Sequence, residues 1–371
     1  MFEFKQYDFR RYNYSLVVLV IIVVIVGAFM IRLVEPSDGN KQFIGLILGL
    51  FAMTFVSLID YHYICRFIWI WYILNIILLA LVFVPGLGKV QFDTQRWINL
   101  RVFDLQPSEL SKIMLSIIFA QFYTDRQEKM DRLSTVFISA IMIIIPILMI
   151  MKQPNLSSCL VLLFIYVTMI FAAGLSYKII VPILAIGLPT MIGVFWYIQQ
   201  PYQKLIDPYQ QNRVLSFLHP EKYPDLMWQQ NNSIELIGSG KLYGKLFSGN
   251  VLEVKSKNLA VSESDFIFSV IGEQIGFIGG CIIIALLAVI IFKCLAVARN
   301  ARDYTGMLLA TGISAMFMFQ VFANIGVVTS ILPNTGLPLP FVSYGLSSLV
   351  SYMIGIGLVL NVSLQRKNIR G

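Results

Sequence analysis

The sequence predicts an all-α polytopic membrane protein, and three observations carry the prediction. Hydrophobic residues fill 57% of the 371 positions and charged residues only 13%, about half the roughly 25% of a soluble domain. Mean hydropathy is +0.76. The apolar residues come in runs of around 20, the length that crosses a bilayer core. Inside hydrocarbon each backbone polar group needs an internal partner, so such runs are helices. A soluble enzyme, a disordered chain and a secreted disulfide scaffold are excluded. The size suits one helical bundle, so residues 1–371 are read as a single transmembrane domain.

About ten spans follow in order. Eight are plain apolar runs: 15–34, 42–59, 64–84, 133–151, 177–198, 266–292, 306–330 and 346–364. The first is too long for a cleaved signal, so none is expected. Two further spans depart from the pattern: 108–123 carries Glu109 and Lys112, and 157–173 is short and begins with Ser157, Ser158 and Cys159. Cys65, Cys159, Cys281 and Cys294 all fall in or at the ends of apolar runs without metal-ligand spacing, and are expected to be reduced core residues.

Lys and Arg counts set the orientation. With the N-terminus inside, the inner segments hold Lys5, Arg10, Arg11, Arg66, Arg126, Lys129, Arg132, Lys178, Lys293, Arg299, Arg302, Arg366, Lys367 and Arg370. The short outer segments hold only Arg32, Lys41, Lys89, Arg96, Arg101 and Lys152. That is 14 against 6, so both termini are expected in the cytoplasm. The net charge of +8 is therefore read as a topology signal and not as a nucleic-acid footprint.

With this orientation the unusual polar segments fall outside: 85–107, 152–157, the long extracellular loop 199–265 between spans seven and eight, and the Pro/Gly stretch 331–345. The inner loops are too short for a nucleotide domain. GSGK at 238–241 lacks the Ser or Thr that completes a phosphate loop, since Leu242 follows. With only His62 and His219 and no HExxH, a zinc site is not expected, and no metal ligand is assigned. Any chemistry should occur at the outer face without cytosolic ATP.

Ionisable residues in or beside spans are costly and mark candidate sites. Glu109 and Lys112 stand three apart on one helix face. They form either a structural ion pair or, with Lys112 facing an outer cavity, an anion-binding site. Asp265 ends the long loop and opens a span. It is either a helix-dipole partner or a half-withdrawn carboxylate whose raised pKa suits a general base. Glu263 nearby is a weaker candidate. Glu273, two turns deeper, is expected to be paired in the bundle. Arg96, Arg101 and Arg213 are solvated charges or forks for phosphate oxygens, and Trp97 is an interfacial anchor or a substrate contact. The stretch 331–345 holds three prolines and two glycines, so it cannot be continuous helix and is expected to line a cavity.

In order along the chain, Gln95-Arg96-Trp97-Ile98, Gln106-Pro107-Ser108-Glu109-Leu110-Ser111-Lys112, Gln153-Pro154, Tyr209 to Arg213, Ile237-Gly238-Ser239-Gly240, Asp265-Phe266-Ile267-Phe268 and Ile331 to Gly345 resemble the SEDS family, typified by RodA and FtsW. The short ends look closer to RodA. The resemblance implies a peptidoglycan glycosyltransferase of the bacterial cytoplasmic membrane that polymerises lipid II, an undecaprenyl-pyrophosphate-linked disaccharide pentapeptide. A class B penicillin-binding protein would crosslink the strands. It further implies Asp265 as the catalytic residue, with Arg96, Trp97, Glu109, Lys112, Arg213 and Ser343 as substrate-binding residues. No cofactor is implied, and a divalent cation is left open.

The sequence also departs from the family pattern. Gln153-Pro154-Asn155-Leu156-Ser157-Ser158-Cys159 lacks the acid and glycine usual there. Leu259-Ala260-Val261-Ser262-Glu263-Ser264-Asp265 lacks the usual proline, glutamate and histidine. A divergent relative is expected. Two other functions remain open on the sequence: a non-catalytic scaffold of the cell-wall machinery, and a transporter or flippase of lipid-linked precursors. A flippase needs polar lining along its whole path, whereas here the polar residues crowd the outer half.

Overall fold

The computed structural model describes residues 7, 10, 12–91, 94–99, 104–247 and 254–365. Arg101, one of the candidate cations, lies outside the described residues, as do Lys5, Arg11, Arg366, Lys367 and Arg370 of the charge count. The bundle is built from α1 (Tyr14–Val34), α2 (Pro36–Leu58), α3 (Tyr61–Arg66), α4 (Ile68–Leu81), α5 (Pro107–Thr124), α6 (Leu133–Met151), α7 (Leu156–Ala172) and α8 (Tyr177–Ile198). It continues with α9 (Pro208–Leu218), α10 (Pro224–Ser239), α11 (Ile267–Arg299), α12 (Tyr304–Val328) and α13 (Leu346–Leu364). Among the described residues, seven of these helices are long and apolar enough to cross a membrane: α1, α2, α6, α8, α11, α12 and α13. The apolar helices α4 and α7 are shorter, and α5 covers the polar run 108–123 that carries Glu109 and Lys112. Large apolar side chains such as Ile47, Phe51, Trp69 and Phe137 stand exposed on the outer helix faces. This surface suits hydrocarbon and not water.

Local chemistry explains the breaks. Pro36 occupies the first turn of α2 and Glu35 before it is extended, as a residue preceding proline prefers, so α1 and α2 form a tight hairpin. Span 64–84 is divided in two, because Phe67 leaves helical geometry between α3 and α4. α2 packs on α13 through small residues: a Cβ on Gly49 would meet Met353 Cγ at 2.7 Å, and one on Gly357 would meet the Met53 carbonyl oxygen at 2.7 Å. Close backbone approach of this kind drives helix association where water cannot.

Three features were not expected from the sequence. The segment 85–107 contains a small antiparallel sheet of β1 (Gly88–Gln91), β2 (Thr94–Asn99) and β3 (Asp104–Leu105), in that order, with Lys89 Nζ donating to Asp104 Oδ2 at 2.6 Å. The strands are too short and polar to compete with the apolar periodicity on which the all-helical reading rests. The long loop 199–265 is itself folded, since it carries α9 and α10. α11 is broken at Gly276, whose φ of 68° and ψ of −169° are not helical. Of the cysteines, Cys65, Cys159 and Cys294 are buried and free, whereas Cys281 is exposed and free, so it is a helix-surface residue and not a core one.

The stretch 331–345 is irregular, as expected, and packs inward. Leu337, Leu339, Phe341 and Val342 are all buried. Phe341 lies with its ring centroid 5.0 Å from that of Phe317 on α12 and 5.7 Å from that of Tyr352 on α13. This aromatic cluster anchors the segment over the bundle. It forms one end of the molecule together with the sheet and the start of α11. The opposite end gathers Tyr7, Asp60, His62, Asp303 and Gln365, so the described ends of the chain meet on one face.

Candidate active site

Asp265 lies two residues before α11, in a turn that is half-buried beneath the Pro/Gly stretch. Its backbone is fixed from two sides. Asn324 Nδ2 donates to the Asp265 carbonyl at 2.8 Å and to the Leu337 carbonyl at 2.7 Å. The Ser343 hydroxyl donates to the neighbouring Ser264 carbonyl at 2.6 Å and accepts from Leu339 N–H at 2.7 Å. Tyr344 N–H donates to the Glu263 carbonyl at 2.9 Å. Gln42 of α2 supports the far side, donating to the Ser343 carbonyl at 3.0 Å and accepting from Gly345 N–H at 3.3 Å. Three elements distant in sequence, α12, the Pro/Gly stretch and α2, therefore hold this loop, the kind of support a precise site needs.

The carboxylate faces Gly336. A Cβ built there would lie 3.3 Å from Asp265 Oδ2 and 3.3 Å from Arg213 Nη1. The two charged groups thus flank a glycine whose φ is +70°, a conformation L side chains rarely adopt. Arg213, on α9, also donates to the Asn334 carbonyl at 3.4 Å. Among the described residues, no hydrogen bond holds the Asp265 carboxylate. Burial pushes its pKa up to about 6, with Glu263 adding to the rise, while Arg213 and Arg96 pull the other way and only partly offset it. A carboxyl group with this pKa is ionised near neutral pH and still basic enough to accept a proton.

The remaining candidates divide. Arg96 on β2 is within electrostatic reach of Asp265. It donates through Nε to the Gln153 carbonyl at 3.1 Å and through Nη2 to the Pro154 carbonyl, tying the sheet to the loop before α7. Trp97 follows it in the strand and is half-buried. It pairs across the sheet with Lys89, next to an irregularity in register at Arg96. Glu109 and Lys112 are 2% and 0% exposed and joined at 2.6 Å, so they form a closed ion pair inside the bundle. Tyr352 on α13 is within electrostatic range of both Glu109 and Asp265, which puts this pair beneath the site.

Asn324, Gly336 and Gln42 were not singled out from the sequence. Asn324 and Gln42 left one signal, an amide within a span, where a polar group needs a partner. Gly336 left only its place among prolines. The departure at Asn155-Leu156-Ser157 is repaired locally: Asn155 caps α7 by accepting from Ser158 N–H at 3.2 Å, and the Ser157 hydroxyl donates to the Thr335 carbonyl of the Pro/Gly stretch. Among the described residues, no three His, Cys, Asp or Glu side chains cluster to hold a metal ion.

Residues 10–368 match the family described as Cell cycle protein, which groups FtsW, RodA and SpoVE. The chain is 31% identical over 380 residues to the probable peptidoglycan glycosyltransferase FtsW of Trichlorobacter lovleyi, covering 98% of this chain and 96% of that one. It is 32% identical over 300 residues to the peptidoglycan glycosyltransferase MrdB of Escherichia coli K12, covering 81% and 79%. A solved structure described under structural coordination of polymerization and crosslinking by a peptidoglycan synthase complex superposes with a TM-score of 0.80 at 28% identity, covering 95% of this chain and 97% of that one.

Proposed function

The chain belongs to the FtsW, RodA and SpoVE family of cell cycle proteins, and from that premise we propose that it polymerises lipid II into glycan strands at the outer face of the cytoplasmic membrane. The observation that carries this reading is the Asp265 carboxylate held beside Arg213 across Gly336 with its pKa raised to about 6. Asp265 is the general base. It takes the proton from the acceptor sugar hydroxyl as that oxygen bonds to the anomeric carbon of the donor. The anomeric carbon–phosphate oxygen bond breaks, and its electrons leave with the lipid pyrophosphate. The donor linkage is α and the product β, so one inverting displacement suffices. No nucleotide is consumed, because the leaving group is already activated.

Arg213 and Arg96 are the cations for the developing pyrophosphate charge. Glu109 and Lys112 set the field under the site as a neutral pair, and Ser343 positions the Asp265 turn. Trp97 is an interfacial contact for the lipid headgroup. The long loop 199–265 lies outside and both termini inside the single transmembrane domain. A class B penicillin-binding protein crosslinks the product.

The test is purified protein with its partner synthase and lipid II. Glycan strands should form with wild type and be lost with Asp265→Asn. If wild type makes no strands with its proper partner, the scaffold function replaces the enzyme. For orientation, a cysteine introduced near Lys222 should react with an impermeant reagent on intact cells, and one near Arg302 should not. Reversed labelling would remove the outer-face argument.

A further inference from the structure

The break in α11 isolates a short outer segment, Ile267–Ile275, that begins two residues after Asp265. Breaking a helix strands carbonyls before the break and amides after it. Residues 241–246 of the long loop enter the gap and take these groups. Lys245 N–H donates to the Glu273 carbonyl at 3.1 Å and Leu246 N–H to the Gln274 carbonyl at 2.9 Å. In return Phe277 N–H donates to the Lys241 carbonyl at 2.8 Å and Ile278 N–H to the Leu242 carbonyl at 3.2 Å. Glycine is required on both sides: a Cβ on Gly276 would lie 2.4 Å from Gly244 N, and one on Gly244 would lie 2.2 Å from the Gln274 carbonyl oxygen.

One ion pair closes this splice. Lys245 Nζ lies 2.5 Å from Glu273 Oε1, and the other carboxylate oxygen accepts from Ser256 N–H at 3.1 Å. The Glu273 side chain is fully buried and that of Lys245 is 17% exposed, so the attraction is poorly screened by water. The splice therefore joins three parts of the outer structure, the loop after α10, the segment around Ser256 and the helix that carries Asp265.

We infer that Lys245 is a positioning residue: locked to Glu273, it holds the outer segment of α11 in the register that keeps Asp265 in the site. This rests on the reading of Asp265 as the base. Unlocking the segment lets Asp265 shift and meet water. A misplacement of about 1 Å costs on the order of a hundredfold in rate. Added water also lowers the carboxyl pKa toward its ordinary value. The groups facing Asp265 are Arg213 on α9, Arg96 on β2, Glu263 in its own loop and Tyr352 on α13. All four are left unaltered by changes at Lys245 and Glu273.

The double variant Lys245→Met/Glu273→Gln removes both charges and strands neither. Relative to wild type, assayed with partner synthase and lipid II, it should purify in equal amount and keep KM. Its kcat should fall at least about tenfold, and the acid limb of its pH–rate profile should move to lower pH. Amide hydrogen exchange at Leu246 and Phe277 should quicken. Lys245→Arg, which keeps the pair, should retain kcat. Wild-type kcat and an unmoved acid limb in the double variant would overturn the inference. If wild type itself makes no strands, the base assignment falls first. Exchange at Leu246 and Phe277 then decides the lock separately: unchanged exchange in the double variant overturns it, and faster exchange upholds it.

Discussion

At one end of the bundle Asp60 accepts from His62 N–H at 2.9 Å, from His62 Nδ1 at 2.8 Å and from Gln365 Nε2 at 3.0 Å. At the opposite end Asp265 has a cation nearby and, among the described residues, no hydrogen bond to its carboxylate. The pKa values follow the two environments. Burial alone would raise both carboxyls. The hydrogen bonds to Asp60 outweigh it and bring that group down to about 2. At Asp265 burial wins and the group rises to about 6. His62 is bonded on its other side to Asp303, which also accepts from Tyr61 OH at 2.7 Å. Hydrogen bonds to Asp303 and Asp60 push the His62 pKa up to about 9. The His62 cluster satisfies its charges and ties α3 to the start of α12 and the end of α13. The Asp265 carboxylate is held by its backbone while its oxygens stay available. That contrast separates a clamp from a site.

The largest effect should come from Asp265→Asn. It keeps size and polarity but cannot accept the proton, so polymerisation should fall by about 10²–10⁴. Thermal stability should hold or rise, because an ionised carboxylate in a site that raises its pKa opposes folding near neutral pH. An initial-rate assay beside a melting curve checks both. A lower melting temperature with unchanged rate would make Asp265 a helix cap.

Lys112→Ala tests the buried pair that lies beneath the site. Removing one partner of a buried ion pair costs roughly 3–5 kcal/mol, so membrane yield and melting temperature should drop. A variant with normal yield and poor lipid II binding would move Lys112 from structure to substrate. Gly336→Ala acts on the Asp265 site. Its φ of +70° costs a side chain about 1–2 kcal/mol, and the new methyl presses on both Arg213 and Asp265. The rate should fall while most of the folded protein remains, measured on size-purified material.

His62→Gln should have the smallest effect and the opposite character. The His62 side chain is 44% exposed, and such pairs contribute about 0.2–1 kcal/mol. The melting temperature should drop slightly while the folded protein polymerises at the wild-type rate. The sign with pH is fixed by the shifts. The His62 contribution is complete below its ordinary pKa of 6.5 and is lost as pH rises through about 9. The Asp60 contribution is complete above 3.8 and is lost as pH falls through about 2. Melting curves across that range check it.

The sequence made the bundle legible because span length is a constraint of the bilayer itself. Asp265 was legible because a carboxylate opening a span is costly. Arg213 and the Pro/Gly stretch were legible as cation and irregular backbone, but their meeting at Gly336 was not, since about 120 residues and the helices α10, α11 and α12 intervene. The His62 clamp was passed over for the same reason: Asp303 lies 241 positions away, and the only local sign was Asp60 beside His62. The break at Gly276 was hidden inside an apolar run, because the loop that fills it supplies backbone and not a patterned side chain.

The role of Asp265 as the base of glycosyl transfer is read from the pH dependence of kcat/KM for lipid II, which reports the free enzyme. Wild type should gain rate with rising pH until a plateau begins near the Asp265 pKa of about 6, and this limb should be absent from the residual activity of Asp265→Asn. A rate that is flat through about pH 5 to 8, the window in which a base of this pKa must titrate, would contradict the account, as would a limb that survives in the variant.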